Sequence, residues 1–125
     1  QEEDYASWLD QLAAEVGRLG AADKKADSAS AKGAAEAELR LWDQELKYLT
    51  TLISGRLGDA QAQAFAQSQK DWLKARESAV TAELAGRAGG VVYTDSLEYT
   101  QTLARYTKDQ VYALAKAYGL IEGAK

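Results

Sequence analysis

Two polar residues interrupt an otherwise apolar stripe within residues 60–87. Steps of three and four residues keep side chains on one face of an α-helix, so Gln69 and Arg76 share their face with the core. Burying a guanidinium group without a partner is costly, and Arg76 therefore needs a carboxylate. The stripe consists of Phe65, Gln69, Trp72, Arg76, Val80 and Leu84.

Two carboxylates are candidates to pair with Arg76. Asp43 lies at the margin of the apolar stripe of the second predicted helix, one turn from two of its leucines, and is the better partner. Asp109 on the fourth predicted helix is the alternative. The cluster of Asp43, Gln69 and Arg76 is interpreted first as a structural ion pair that sets helix register. Its functional interpretation is a polar cluster that shapes a binding groove.

Paired carboxylates suggest a second kind of chemistry. Glycoside hydrolysis uses two carboxyl groups that flank the scissile bond. Asp43 with Glu45, and Asp71 with Glu77, are close neighbours on predicted helices. Such pairs are routine on solvated helix faces, so we assign no catalytic residue.

The turn from Gly89 to Asp95 is the candidate partner-binding surface. A Gly89-Gly90 hinge followed by Val91 and Tyr93 places apolar and aromatic groups at one end of the helices, where loops often carry recognition. In the alternative, Val91 and Tyr93 fold back and close the core. The two glycines lack the longer glycine spacing and the lysine of a phosphate-binding loop.

The composition excludes several classes of function. The 125 residues include no cysteine and no histidine, which removes disulfides, thiolate zinc sites, cysteine nucleophiles and the commonest general base. We therefore predict no enzyme, no cofactor and no metal. The formal charge of −4, with 19 acidic and 15 basic residues and no basic cluster, argues against nucleic acid and suits a basic protein partner.

Two features of the chain concern its location. No apolar run approaches the roughly 20 residues of a transmembrane helix. The sequence begins at Gln1 and contains no methionine, so we expect a terminus left by signal cleavage and a periplasmic or secreted protein. The alternative for Gln1 is the edge of a truncated sequence.

Four amphipathic segments predict an all-α antiparallel bundle. Apolar residues recur every three or four positions in each segment, and glycines follow the segments. Residues 20–34 contain no large apolar side chain and are either a solvated linker or a frayed helix start, which predicts a loosely packed first helix. The predicted helices cover residues 4–19, 35–57, 60–87 and 95–119, with an N-terminal helix and linker in 1–34 and one helical domain in 35–125.

Individual residues have predicted structural roles within these helices. Trp42 and Trp72 are core anchors, because each lies centrally in its stripe. Asp59 is the expected N-cap of the third helix. Asp95, with Glu98 three residues later, resembles a capping box that begins the fourth helix.

Several short motifs follow one another in a distinctive order. They are Asp43-Gln44-Glu45-Leu46, then Gln69, Trp72 and Arg76-Glu77, then Gly89-Gly90, then Thr107 and Ala113-Leu114. From about residue 35 to 114, the chain resembles the lysozyme-inhibitor LprI-like N-terminal domain family, small secreted or lipid-anchored bacterial domains. The resemblance implies a protein-interaction domain that inhibits a basic lysozyme. A structural or envelope-associated module without an enzyme target is the rival hypothesis.

The chain also departs from the pattern of that family. The family usually has asparagine at Lys47, tyrosine near Thr50 and arginine near Gln110. Cysteines align with Val80 and Thr102, and both are absent here. The resemblance therefore implies that the third and fourth helices approach each other at these two positions and are held there by packing alone.

Overall fold

The fold is an all-α helical bundle, as the sequence predicts. The computed structural model describes residues 2–23 and 28–121, and the regular structure in these residues is helical. Among them, no helix combines the length and apolar character that a membrane crossing requires. The helices are α1 (Glu2–Asp23), α2 (Ser28–Ser54), α3 (Asp59–Ala88) and α4 (Leu97–Ala117).

Helix α2 lies at the centre of the bundle. It contacts each of the other three helices, and its most extensive packing is against α4. The predicted stripe on α2 forms the core, where Trp42, Leu49 and Ile53 are fully buried beside Val111 of α4. Burying one such side chain stabilises the fold by roughly 1.5–3 kcal/mol, so this interface holds the molecule together.

Helix α1 packs closely on α2, and the prediction of a loosely packed first helix is wrong. Its buried face contributes Tyr5, Leu9, Leu12 and Val16 to the main core. Residues 28–34 begin α2 rather than form a linker, because alanine and small polar residues tolerate helix well. The predicted boundary at residue 34 consequently falls inside α2.

Two helices begin at different caps from those predicted. Gly58 is the N-cap of α3, and Asp59 is in its first turn. Ser96, not Asp95, caps α4, and its hydroxyl accepts a hydrogen bond from the Tyr99 backbone N–H at 3.1 Å. Serine caps about as well as aspartate, so adjacent candidates cannot be ranked by residue type.

Helices α3 and α4 run antiparallel. In the polar contacts between them, the residue number falls along α3 as it rises along α4. Only an antiparallel pair gives this order. Beneath these contacts, Val80, Leu84 and Tyr99 form a second, smaller core. The pairs are Arg87 with Glu98, Glu83 with Tyr106, Arg76 with Thr107, and Gln69 with Gln110.

Replacing Val80 and Thr102 together by cysteine should link α3 to α4. Both side chains are buried on antiparallel neighbours. We expect Val80→Cys/Thr102→Cys to oxidise without backbone distortion, which closes a loop of about 22 residues and raises the free energy of unfolding by about 3 kcal/mol. Thermal unfolding with and without a reductant measures the gain.

The control for this variant is Val80→Cys alone, whose melting temperature should not depend on reductant. Free thiols that persist in the folded double variant under oxidant would contradict the alignment of these positions with the cysteines of the family.

Candidate functional site

The ion pair between Arg76 and Asp43 joins three helices. Arg76 Nη1 donates to Asp43 Oδ1 of α2 at 2.9 Å and to Thr107 Oγ1 of α4 at 2.8 Å. The Thr107 hydroxyl in turn donates to the Leu103 carbonyl at 2.8 Å. Asp43, rather than Asp109, is thus the carboxylate that Arg76 binds. One guanidinium group on α3 therefore sets the position of α2 and α4 together.

The two members of this ion pair differ in exposure. The Arg76 side chain is 12% exposed, whereas that of Asp43 is 44% exposed. The Arg76 guanidinium lies 5.7 Å from the centre of the Trp72 ring, and its Nε is buried without a hydrogen-bond partner. Trp72 is accordingly only partly buried and covers the arginine at the edge of the core, while Trp42 is the fully buried anchor.

A groove of about 320 Å³ lies beside the ion pair, between α2 and α3. Asp43 and Arg76 lie on its wall, and the Gln69 side chain accepts a hydrogen bond from Gln110 at 3.3 Å. The predicted cluster therefore occurs at a groove and also links helices. The remaining lining residues are Leu46, Lys47, Thr50 and Leu73.

The paired carboxylates noted in the sequence do not converge. Asp43 faces α3, whereas Glu45 binds α1 on the other side of α2. Asp71 is exposed and accepts from Gln67 on its own helix. Across residues 2–23 and 28–121, no group of three or more His, Cys, Asp or Glu side chains could hold a metal ion.

The turn between α3 and α4 presents two side chains to solvent. Gly89 and Gly90 have φ of 72° and 99°, conformations that favour glycine and end α3 abruptly. Val91 and Tyr93 are 54% and 67% exposed, so they do not close the core as the alternative proposed. Val92 instead packs on the second core, which holds the turn in place.

A charged cluster supports this turn from below. Glu83 accepts hydrogen bonds from the Tyr106 hydroxyl at 2.8 Å and from Arg105 and Arg87 at 2.6 Å each. Arg87 also reaches Glu98 at 3.3 Å. The hydrogen bond from Tyr106, followed by that from Arg105, lowers the pKa of Glu83 below the ordinary value. The sequence signal for this cluster was the four-residue spacing of Glu83 and Arg87.

The sequence analysis considered Glu45 as a neighbour of Asp43 and as part of one motif, and did not predict its burial. Among the described residues, Glu45 is the buried carboxylate. It is 5% exposed and accepts from the Tyr5 hydroxyl at 2.6 Å and from Trp8 Nε1 at 2.7 Å. Burial, followed by the hydrogen bond to Glu45, raises the pKa of Tyr5 far above its ordinary value. Glu45 lies three residues after Trp42, a spacing that could have indicated its burial.

Comparison with known proteins gives one match. A model of the family described as lysozyme inhibitor LprI matches residues 20–114. Neither a curated protein nor a solved structure matches. The match begins earlier than the resemblance, which starts at about residue 35, and both end at residue 114. It contains the groove and the turn but leaves out most of α1.

Arg76→Ala should lower the free energy of unfolding by about 2 kcal/mol. The variant loses two charge-assisted hydrogen bonds and the packing of the arginine stem, although Asp43 is exposed enough to rehydrate. Arg76→Met should cost less, because it keeps the stem volume beside Trp72. Urea unfolding measures both values.

Arg18→Ala is the matched control, since Arg18 pairs with Glu15 on an exposed face of α1. An exposed pair contributes about 0–1 kcal/mol, so this variant should remain close to the unaltered protein. An Arg76→Ala effect no larger than that of the control would show that the ion pair does not hold the helices.

Glu83→Gln should change how stability depends on acid pH. Because the folded-state pKa of Glu83 is lowered, its contribution is complete above the ordinary carboxyl pKa and is lost as the pH falls through the folded-state value. The difference in unfolding free energy between the unaltered protein and Glu83→Gln should therefore shrink on acidification. Urea unfolding at several pH values measures it, and a constant difference would contradict the role of Glu83.

Proposed function

Because this chain belongs to the lysozyme inhibitor LprI family, we propose that it is a helical protein-interaction domain that binds and inhibits a lysozyme. The family match includes most of the bundle, with both the groove and the turn inside it. We further propose a secreted or periplasmic location, where a lysozyme would be met. The same membership favours a binding protein over an enzyme, and the non-converging carboxylates agree with that choice.

The α3–α4 turn is the surface that we propose meets the enzyme. The observation that carries this assignment is the exposure of both Val91 and Tyr93 on the turn between α3 and α4. Tyrosine is enriched among residues that dominate binding energy, and an enzyme cleft is concave. A turn that joins two helices and exposes an aromatic group can present that group to such a cleft.

The order of this turn before binding supports the same proposal. The packed Val92 anchors the backbone next to Gly89 and Gly90, whose positive φ ends α3. The Glu83 cluster fixes the ends of α3 and α4 beneath it. A surface that is already ordered loses little conformational entropy on binding, so more of the contact energy becomes affinity.

The charge of the protein suits a basic lysozyme. The net charge is −4, and the exposed Asp95 lies two residues after Tyr93. Attraction between opposite charges raises the rate at which two proteins meet, and added salt weakens that attraction. Val91 and Tyr93 would provide affinity at the centre of the contact, and Asp95 would act at its rim.

Inhibition should depend on the turn and not on the groove. In a cell-wall clearing assay, the purified domain at tens of micromolar should slow a c-type or g-type lysozyme. Tyr93→Ala should weaken inhibition about tenfold, as expected for a central aromatic contact, and Val91→Ser should also weaken it. Leu73→Ala is the matched control, because Leu73 is an exposed apolar residue in the groove.

Two outcomes separate the alternatives. No slowing of either lysozyme by the unaltered domain would remove the inhibitor proposal and leave the structural or envelope-associated module, which a pull-down from an envelope fraction would then examine. Loss of inhibition in Leu73→Ala but not in Tyr93→Ala would move the binding surface to the groove. Added salt should slow association if the acidic surface contributes.

A further inference from the structure

A cavity of about 580 Å³ lies between α1 and α2, away from the groove and the turn. Small-molecule sites have volumes of roughly 300–1,000 Å³, so this cavity is of ligand size. Leu12 and Leu52 contribute apolar wall, and one end contains the buried carboxylate of Glu45. The carboxylate at that end determines which ligands the cavity could bind.

The Glu45 carboxylate retains unused acceptor capacity. Its Oε2 accepts from Tyr5 and its Oε1 from Trp8, one hydrogen bond on each oxygen. A carboxylate has about four acceptor positions, which leaves about one on each oxygen. Both present donors are neutral groups, and a buried carboxylate is best satisfied by a cation. Glu45 is among the residues that line the cavity.

Aromatic rings surround this carboxylate. Tyr5 and Tyr48 are stacked with ring centres 6.4 Å apart and planes 19° from parallel. Trp8 and Tyr48 are each about half exposed at the cavity, so their rings are available to a ligand. Aromatic faces attract cations, most strongly when a cation leaves water. A carboxylate flanked by such rings has the chemistry that recognises organic cations.

We propose that this cavity binds an organic cation, with a flat amidinium or guanidinium head at Glu45 and an apolar body along the leucines. The planar head donates two parallel hydrogen bonds, which matches one free position on each carboxylate oxygen. Trp8 and Tyr48 would cover its faces. Arg56 borders the cavity just beyond the end of α2.

The site is separate from the one proposed for lysozyme. Tyr5, Trp8 and Leu12 lie outside the residues matched by the family model, as does Leu120 at the cavity wall. Half of the recognition chemistry thus comes from α1. If the cavity does not bind a cation, the proposed inhibition by the turn is unaffected. The first proposal is tested with small molecules and the second with a lysozyme.

Benzamidine and benzamide form a matched pair of probes, a cation and a neutral molecule of nearly the same shape. In a nitrogen–proton correlation NMR titration, benzamidine should shift the indole N–H signal of Trp8, which donates to Glu45, and the shift should saturate. Benzamide should leave that signal unchanged. The indole N–H of buried Trp42 serves as the internal reference for an intact fold.

Variants test the assigned contacts. Glu45→Gln should weaken benzamidine binding at least about tenfold, because it removes the charge while retaining the shape. Tyr48→Ala removes one wall without touching the hydrogen bonds of Glu45 and should weaken binding several-fold. Asp71→Asn is the matched control, because Asp71 is an exposed carboxylate on α3 that accepts from Gln67 of its own helix. This variant should bind benzamidine as the unaltered protein does.

Some results would overturn the proposal. Equal shifts with benzamide, an unchanged affinity in Glu45→Gln with an intact fold, or no saturable shift of Trp8 would each do so. N-acetylarginine amide carries the same head on a peptide-like body and should compete with benzamidine. Failure to compete would contradict the assignment of the head group to Glu45.

Discussion

The spacing of two carboxylates on α2 is the constraint around which the helices are arranged. Asp43 and Glu45 are two residues apart and so lie about 160° apart around the helix, one on each side of the apolar stripe. Asp43 binds Arg76 of α3, while Glu45 accepts hydrogen bonds from Tyr5 and Trp8 of α1. The stripe between them packs on α4. One helix therefore orients three neighbours with two carboxylates and one apolar face.

The sequence allowed a correct prediction where a buried side chain required a partner of opposite charge. Arg76 lies in an apolar stripe, and a buried guanidinium requires a carboxylate, so Asp43 could be named before the structure. Glu45 lies at the other margin of the same stripe, but its partners are neutral donors on a different helix. No charge in the sequence marks Tyr5 or Trp8 as its partners, and only tertiary packing brings them together.

The remaining differences have local physical causes. Residues 28–34 lack large apolar groups, yet they form the first turns of α2. Their helix propensity and the helix that follows them are enough to make them helical. Residue type alone does not determine whether Val91 and Tyr93 face the core or the solvent. Their exposure follows from the left-handed glycines, which set the direction in which Val92 meets the second core. Such directions depend on backbone angles that residue types alone leave open.

The attachment of α1 has a consequence for the dynamics of the molecule. Within the described residues, the backbone of α1 lies close to that of α2 but not to those of α3 and α4, whereas the backbones of α2, α3 and α4 lie close to one another. A helix whose backbone lies beside one neighbour can detach while the rest stays folded, so we expect α1 to open at a lower free energy than the other helices. Any ligand that bridges α1 and α2 would therefore slow amide hydrogen exchange throughout α1. The exchange rate of α1 would therefore report whether a ligand is bound between α1 and α2.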